Sequence, residues 1–175
     1  MSMSEFKLLR PRTLAEAVEM LGRYGATASL TEPNTRLARG GLQVVAGGTD
    51  LIPSLRQRLF EPEYVLDLRG VRELRGLHET AGGGLEIGAL TPLSVIEHSQ
   101  FVARQYSVLR EAARTVASPL IRNMGTLGGN ICLDTRCLWY NQSLAWRKSC
   151  GFCIKSPRRA NIGLGGDPGK PDSDI

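Results

Sequence analysis

Ser118-Pro-Leu-Ile-Arg-Asn-Met-Gly-Thr-Leu-Gly-Gly-Asn-Ile131 gathers Gly125, Gly128 and Gly129 among small polar residues. Glycine lets a backbone approach a ligand closely and tolerates positive φ. Thr126 and Asn130 add a hydroxyl and an amide beside it. Fixed N–H dipoles in such a loop suit pyrophosphate or ribityl oxygens without needing a lysine. The same composition also describes a plain tight turn between a helix and a strand. Taken alone, the stretch leaves both readings open.

A second stretch lies upstream, Val44-Val45-Ala46-Gly47-Gly48-Thr49-Asp50-Leu51. A β-branched run enters a glycine pair, then a threonine and an acid, and a helical pattern follows from Leu51 to Leu59. That order is strand, glycine loop, helix N-terminus, where unpaired N–H groups and the positive end of the helix dipole point outward. The dinucleotide fingerprint G-x-G-x-x-G is absent, and no Gly-Lys-Ser/Thr follows the glycines.

Two such loops in this order, with Ile121-Arg-Asn-Met-Gly-Thr-Leu-Gly-Gly-Asn-Ile131 and Val45-Ala-Gly-Gly-Thr-Asp-Leu51, resemble the FAD-binding subunit of the molybdenum hydroxylases. That family includes xanthine dehydrogenase, carbon monoxide dehydrogenase and 4-hydroxybenzoyl-CoA reductase, and the resemblance runs from Phe6 to Lys155. It implies that Val44, Val45, Ala46, Gly47, Gly48, Thr49, Asp50 and Leu51 line the FAD pyrophosphate and ribityl chain. Thr126, Gly128, Gly129, Asn130 and Ile131 are implied on the other side. The segment Ile87-Gly-Ala-Leu-Thr91 is implied near the flavin, making Thr91 a candidate contact. It implies two partners as well, a large molybdopterin subunit and a small [2Fe–2S] subunit.

The 175 residues suffice for one domain or two small subdomains, and 42% hydrophobic residues allow a buried core. No apolar run approaches the roughly 18 residues a membrane span needs. Residues 1–12 lack a signal-peptide core, so the expected location is cytoplasmic. The net charge is +5 and the pI near 9.3, but the basic residues are scattered. No basic run carries the interleaved aromatics that stack on bases, so nucleic-acid binding is not expected. The charge reads as solvated faces and a partner-facing surface.

Thr13 and Glu16 have capping-box spacing ahead of a helix whose apolar stripe is Leu14, Val18 and Leu21, ended by Gly25. The stripe is expected to pack on a small sheet. Tyr64 to Leu68, Leu74 to Thr80 and Leu85 to Ala89 read as strands, the last two joined by Ala81-Gly-Gly-Gly84. Thr91 reads as an N-cap with Pro92 at the first helical position. Gln100 to Ala117 reads as one helix with Val102, Leu109, Ala112, Ala113 and Val116 on its apolar face, stopped by Pro119. Arg122 and Asn123 are expected to hold the loop or a partner surface. His78 and His98 stand alone in surface contexts, and no internal repeat is visible.

All four cysteines, Cys132, Cys137, Cys150 and Cys153, fall within a short stretch. In a cytoplasmic chain such a cluster suits soft-metal ligation better than disulfides. The run from Ile131 to Lys155 resembles the 4-hydroxybenzoyl-CoA reductase branch, whose flavin subunit carries an inserted [4Fe–4S] loop. Onto that pattern Cys137 and Cys153 map as ligands, while Cys132 and Cys150 do not. The branch's other two ligands have no counterpart, because residues 156–175 contain no cysteine. That tail is rich in proline, glycine and charge and is expected to be disordered. Family members continue with further strands and a C-terminal domain, so the chain reads as truncated after Lys155.

The expected fold is α+β, of the molybdopterin dehydrogenase FAD-binding type. Residues 6–59 form one subdomain and residues 61–155 a second, with FAD between them. The expected role is electron relay between iron–sulfur centres and an external donor or acceptor. No catalytic residue set for independent turnover is visible, so the chain is expected to be inactive alone. Two other classes stand beside this reading: a structural or partner-binding fragment without flavin, and a small zinc module centred on the cysteines.

Overall fold

The computed structural model describes residues 3–25, 41–58 and 61–133. Cys137, Cys150, Cys153 and the tail lie outside the described residues.

Three short parallel strands form the first sheet: β1 (Lys7–Leu9), β2 (Leu42–Val45) and β3 (Tyr64–Asp67). The order is β1-β3-β2, with Leu8 opposite Val65 and Val44 opposite Leu66. The central strand therefore comes from sequence assigned above to the second unit. Val65 and Leu66 are fully buried, as expected of a strand flanked on both sides. Helix α1 (Leu14–Gly25) and the single-and-a-half turn of α2 (Leu51–Arg56) are the connections around it. Val45, Leu51, Leu55 and Val65 make the core of this unit.

Helix α1 begins as its sequence suggests but buries a different face. The Thr13 hydroxyl accepts from the Glu16 N–H at 3.2 Å. The Glu16 carboxylate reaches back one residue further than a capping box requires, to the Arg12 N–H at 2.7 Å. Ala17 is the buried residue, while Leu14, Val18 and Leu21 are 45%, 60% and 38% exposed. The expected stripe thus lies away from the sheet. A small residue at the contact lets the helix lie close, and Tyr24 stacks on Tyr64 with ring centroids 4.6 Å apart.

Beyond β3 the chain makes two single-turn 3-10 helices, Leu68–Gly70 and Arg72–Leu74, then an antiparallel pair, β4 (Leu77–Glu79) and β5 (Leu85–Ile87). The expected strand from Leu74 starts later because Gly76 turns the backbone at φ +126°. Five helices follow: α3 (Leu93–His98), α4 (Gln100–Gln105), α5 (Ser107–Thr115), α6 (Pro119–Met124) and α7 (Leu127–Ile131). Leu93, Ile96, Val102 and Ala113 form their core, with Leu77, Leu85 and Ile87 of the hairpin packed against it.

The single helix expected from Gln100 to Ala117 is broken at Tyr106, whose φ of −134° and ψ of 49° leave the helical region. Its ring sits 5.9 Å from that of Phe101, and its hydroxyl donates to the Gly83 carbonyl at 3.2 Å. The break holds the hairpin turn against the helices. Val102 and Ala113 are buried as expected, whereas Ala112 is exposed. No helix of the described residues is long and apolar enough to cross a membrane.

Candidate functional site

The two glycine-rich stretches, far apart in sequence, lie against each other. A Cβ added to Gly47 would run into the Met124 carbonyl oxygen and stand 3.1 Å from the Gly125 Cα. One added to Gly125 would stand 3.7 Å from Thr49 Oγ1, and one on Gly129 would stand 3.8 Å from the Ala46 Cβ. At Gly47 the missing side chain permits backbone to meet backbone, while Gly125 and Gly129 stand at ordinary contact distance from the upstream stretch.

The first stretch is an open turn. Val45 ends β2 buried, while Val44 points to solvent. Ala46, Gly47, Gly48, Thr49 and Asp50 are all half-buried, and Leu51 is buried at the start of α2. Gly48 has φ +77°, the left-handed region, and its carbonyl accepts from the Ile52 N–H. Among the described residues, the N–H groups of Gly47, Gly48 and Thr49 make no hydrogen bond. Three successive N–H groups at the carboxyl end of a parallel strand are a ready anion cradle. The turn leads straight into α2, as read from the sequence, and the Ser54 hydroxyl donates to the Asp50 carbonyl at 3.0 Å.

The second stretch is not a loop. Ser118 caps α6, its hydroxyl accepting from the Ile121 N–H, and Pro119 occupies the first helical position. Thus Pro119 starts a helix as well as preventing α5 from continuing. Thr126 then caps α7, its hydroxyl accepting from the Gly129 N–H at 3.1 Å. The Leu127 N–H donates to the Thr91 carbonyl, that of Gly128 to the Ala89 carbonyl, and that of Asn130 to the Thr126 carbonyl. The amides expected to face a ligand are therefore engaged within the protein. Gly128 is needed because a Cβ there would lie 2.8 Å from the Ala89 Cβ. Gly129, Asn130 and Ile131 are exposed, and Thr126 is buried.

Thr91 is 2% exposed and caps nothing. Its hydroxyl accepts from the Gly76 N–H at 3.1 Å and donates to the Gly76 carbonyl at 2.7 Å. Pro92 takes the N-cap position of α3 instead. The adjoining Pro92 bridges Thr126, so the segment before α3 is tied directly to the start of α7.

Arg122 is the buried charge of this region. Its Nε donates to Glu97 Oε2 at 2.7 Å and its Nη2 to Glu97 Oε1 at 3.3 Å, while Nη1 donates to the Val116 carbonyl at 3.0 Å. The Arg122 guanidinium holds the Glu97 carboxyl below its ordinary range, with Arg114 and His98 adding smaller effects. Of the pair singled out from the sequence, Arg122 holds the stretch in place and Asn123 is exposed. In the first unit, Asp67 closes β3 and accepts from the Arg69 Nε and Nη2 at 2.8 and 2.7 Å. That pairing likewise lowers the Asp67 pKa.

Met124, Ala89 and Glu97 escape a sequence reading. Ala89 and Met124 carried a faint signal, lying within Ile87-Gly-Ala-Leu-Thr91 and the Ser118 to Ile131 stretch; Glu97 carried none. Among the described residues no group of three or more His, Cys, Asp or Glu side chains could hold a metal.

Residues 4–145 match the family model described as the FAD binding domain in molybdopterin dehydrogenase. Over 126 residues the chain is 35% identical to the carbon monoxide dehydrogenase medium chain of Hydrogenophaga pseudoflava, covering 72% of this chain and 39% of that one. Over 123 residues it is 32% identical to the xanthine dehydrogenase FAD-binding subunit of Escherichia coli O157:H7, covering 70% and 37%. Among solved structures, carbon monoxide dehydrogenase from H. pseudoflava superposes with a TM-score of 0.62 at 32% identity, over 75% of this chain and 40% of that chain. Quinoline 2-oxidoreductase from Pseudomonas putida 86 does so with a TM-score of 0.59 at 30% identity, over 74% and 40%. The chain thus spans about two fifths of the length of these relatives. With the paired glycine stretches, the α+β architecture and the match over residues 4–145 in agreement, this chain belongs to the family of FAD-binding domains of molybdopterin dehydrogenases.

Proposed function

We propose that the chain binds FAD between its two glycine-rich stretches and acts as the electron-relay component of a molybdenum-containing oxidoreductase. The observation that carries this reading is the meeting of Gly47 with Met124 and Gly125, which sets the unengaged N–H groups of Gly47, Gly48 and Thr49 beside the exposed end of α7. These groups fit a pyrophosphate: they are fixed, consecutive donors at the carboxyl edge of a parallel sheet. The exposed Asn130 amide suits a ribityl hydroxyl or phosphate oxygen across the gap. Val44, Val45, Ala46, Asp50 and Leu51 shape the first wall, and Thr126, Gly128, Gly129 and Ile131 the second. Thr91 supports the second wall from behind, its carbonyl accepting from the Leu127 N–H and its hydroxyl anchored on Gly76.

Bound FAD would supply reversible electron uptake. The chain itself would orient the cofactor and neutralise its phosphates. Substrate turnover would then belong to a large molybdopterin subunit, with a small [2Fe–2S] subunit passing electrons to or from this component, and the chain alone would be inactive. The β1-β3-β2 sheet with α1 and α2, and the helical unit that packs on the hairpin, would hold the cofactor between them, and the protein would work in the cytoplasm.

Titration of the purified chain with FAD, followed by flavin fluorescence, tests the reading. Saturable quenching supports it, and a chain that neither carries nor takes up flavin would sink it. A finer placement, in the 4-hydroxybenzoyl-CoA reductase branch with a [4Fe–4S] cluster using Cys137 and Cys153, rests on the cysteine-bearing stretch alone. Iron and sulfide analysis after anaerobic purification decides it, and stoichiometric zinc in place of iron would favour the zinc module.

A further inference from the structure

We infer that the Arg122–Glu97 ion pair is a positioning clamp that sets the separation of the two glycine-rich stretches, and through it the affinity of the site between them. The inference rests on the FAD reading above for its ligand, but the clamp has a readout that needs no flavin.

Arg122 sits two and three residues before Met124 and Gly125, the two residues that face Gly47. Its guanidinium makes the bidentate contact to Glu97 on α3 and a third bond to the carbonyl of Val116, the residue that ends α5. One planar group therefore fastens α6 to two other helices at once, a task lysine cannot perform because it lacks the fork. Just past the C-terminus of α6 the Gly125 carbonyl accepts from the N–H of Leu93, the first residue of α3. The C-terminal half of α6 is thus pinned to both ends of α3, at Leu93 and at Glu97, and the Arg122 pin is the charged one. The space at Gly47 tolerates no added atom, so a tilt of α6 changes the gap between the stretches directly.

Burial makes the clamp decisive. The Arg122 and Glu97 side chains are 9% and 14% exposed, and removing one partner leaves the other without its counter-charge. The nearest further cation, Arg114, stands 3.9 Å from Glu97 and is half exposed, so it is a weak substitute. Neither Arg122 nor Glu97 lies among the residues proposed to touch FAD. They act through the backbone of Met124 and Gly125, as positioning residues.

The test uses the full chain with Arg122→Lys and Glu97→Gln, and Arg122→Met as the harsher change. Val71→Ala serves as control, since it opens a cavity at a fully buried residue of the link between the two sheets. All are measured where far-UV circular dichroism shows them folded. The clamp variants should bind FAD about tenfold or more weakly, because small misplacements of positioning groups are costly, while Val71→Ala keeps wild-type affinity. Arg122→Lys should be intermediate, having charge without the fork. Amide exchange in the flavin-free chain gives the independent readout: Leu127 and Gly128 should exchange faster in the clamp variants and not in Val71→Ala. Wild-type affinity together with unchanged exchange at those amides would overturn the clamp. If the wild-type chain binds no FAD, the flavin reading falls by itself, and the exchange measurement still decides the clamp.

Discussion

The two glycine-rich stretches look alike on paper and are built in opposite ways. In the upstream one, the donors of Gly47, Gly48 and Thr49 are left unengaged and the turn is held by what surrounds it. In the downstream one, the donors of Leu127, Gly128, Gly129 and Asn130 are all consumed by Thr91, Ala89 and Thr126. The first stretch is therefore suited to hold an anion, and the second to brace the first. Glycine marks both stretches, yet the donors beside it are free in one place and consumed in the other. A glycine-rich motif is best classified by where its N–H groups go.

The contrast can be broken by substitution. The largest effect should come from Gly47→Ala, whose methyl group has no room against the Met124 carbonyl. Forcing the stretches apart should cost about 3 kcal/mol in chemical denaturation and weaken FAD binding by about a hundredfold. Thr126→Ala attacks the bracing side alone, removing the acceptor for the Gly129 N–H. It should cost about 1 kcal/mol, as N-cap losses do, with only a few-fold loss in FAD affinity. Equal losses of affinity in the two variants would show that both stretches contact the ligand alike.

Acid weakens both stretches through their neighbouring carboxylates. Glu97 braces the second stretch and Asp67 closes β3 beside the first, and both titrate below their ordinary range in the folded chain. Their contribution is complete above the unfolded carboxylate range and disappears as pH falls through the lower folded values. Urea midpoints should hold steady from neutrality to about pH 5 and then drop. Glu97→Gln should flatten part of that drop. The smallest effect is a gain: Ala117, just past α5, is held at φ +45°. Ala117→Gly should raise stability by about 0.5–1 kcal/mol in the same assay, leaving flavin affinity untouched.

Much of this was legible because local chemistry and global fold agree at those residues. The β-branched run before Gly47 does form a strand, the Ala81 to Gly84 turn does join a hairpin, and the Thr13 hydroxyl does cap α1. What escaped depends on distant partners. Leu14, Val18 and Leu21 have perfect helical spacing, but spacing cannot say that Ala17 is the residue facing the sheet. Thr91 beside Pro92 has the grammar of a cap, yet a backbone fifteen residues away claims its hydroxyl. Tyr106 breaks a continuous helical pattern in a conformation accompanied by contacts to Phe101 and Gly83, which no local rule would reveal. Above all, Ser118 to Ile131 reads as a loop because its glycines mask two short helices, each announced by its own capping hydroxyl at Ser118 and Thr126.

The strand order β1-β3-β2 carries a consequence for how the chain comes to be folded. The middle strand is the last to be synthesised, so β1 and β2 have no ladder partner among the three until Tyr64 to Asp67 emerge. Until then both present unpaired edges, the hazard of parallel pairing between distant segments. Pairing within the sheet therefore waits for β3. The anion cradle after β2, which has no rigid base without β3, comes into being in that same step.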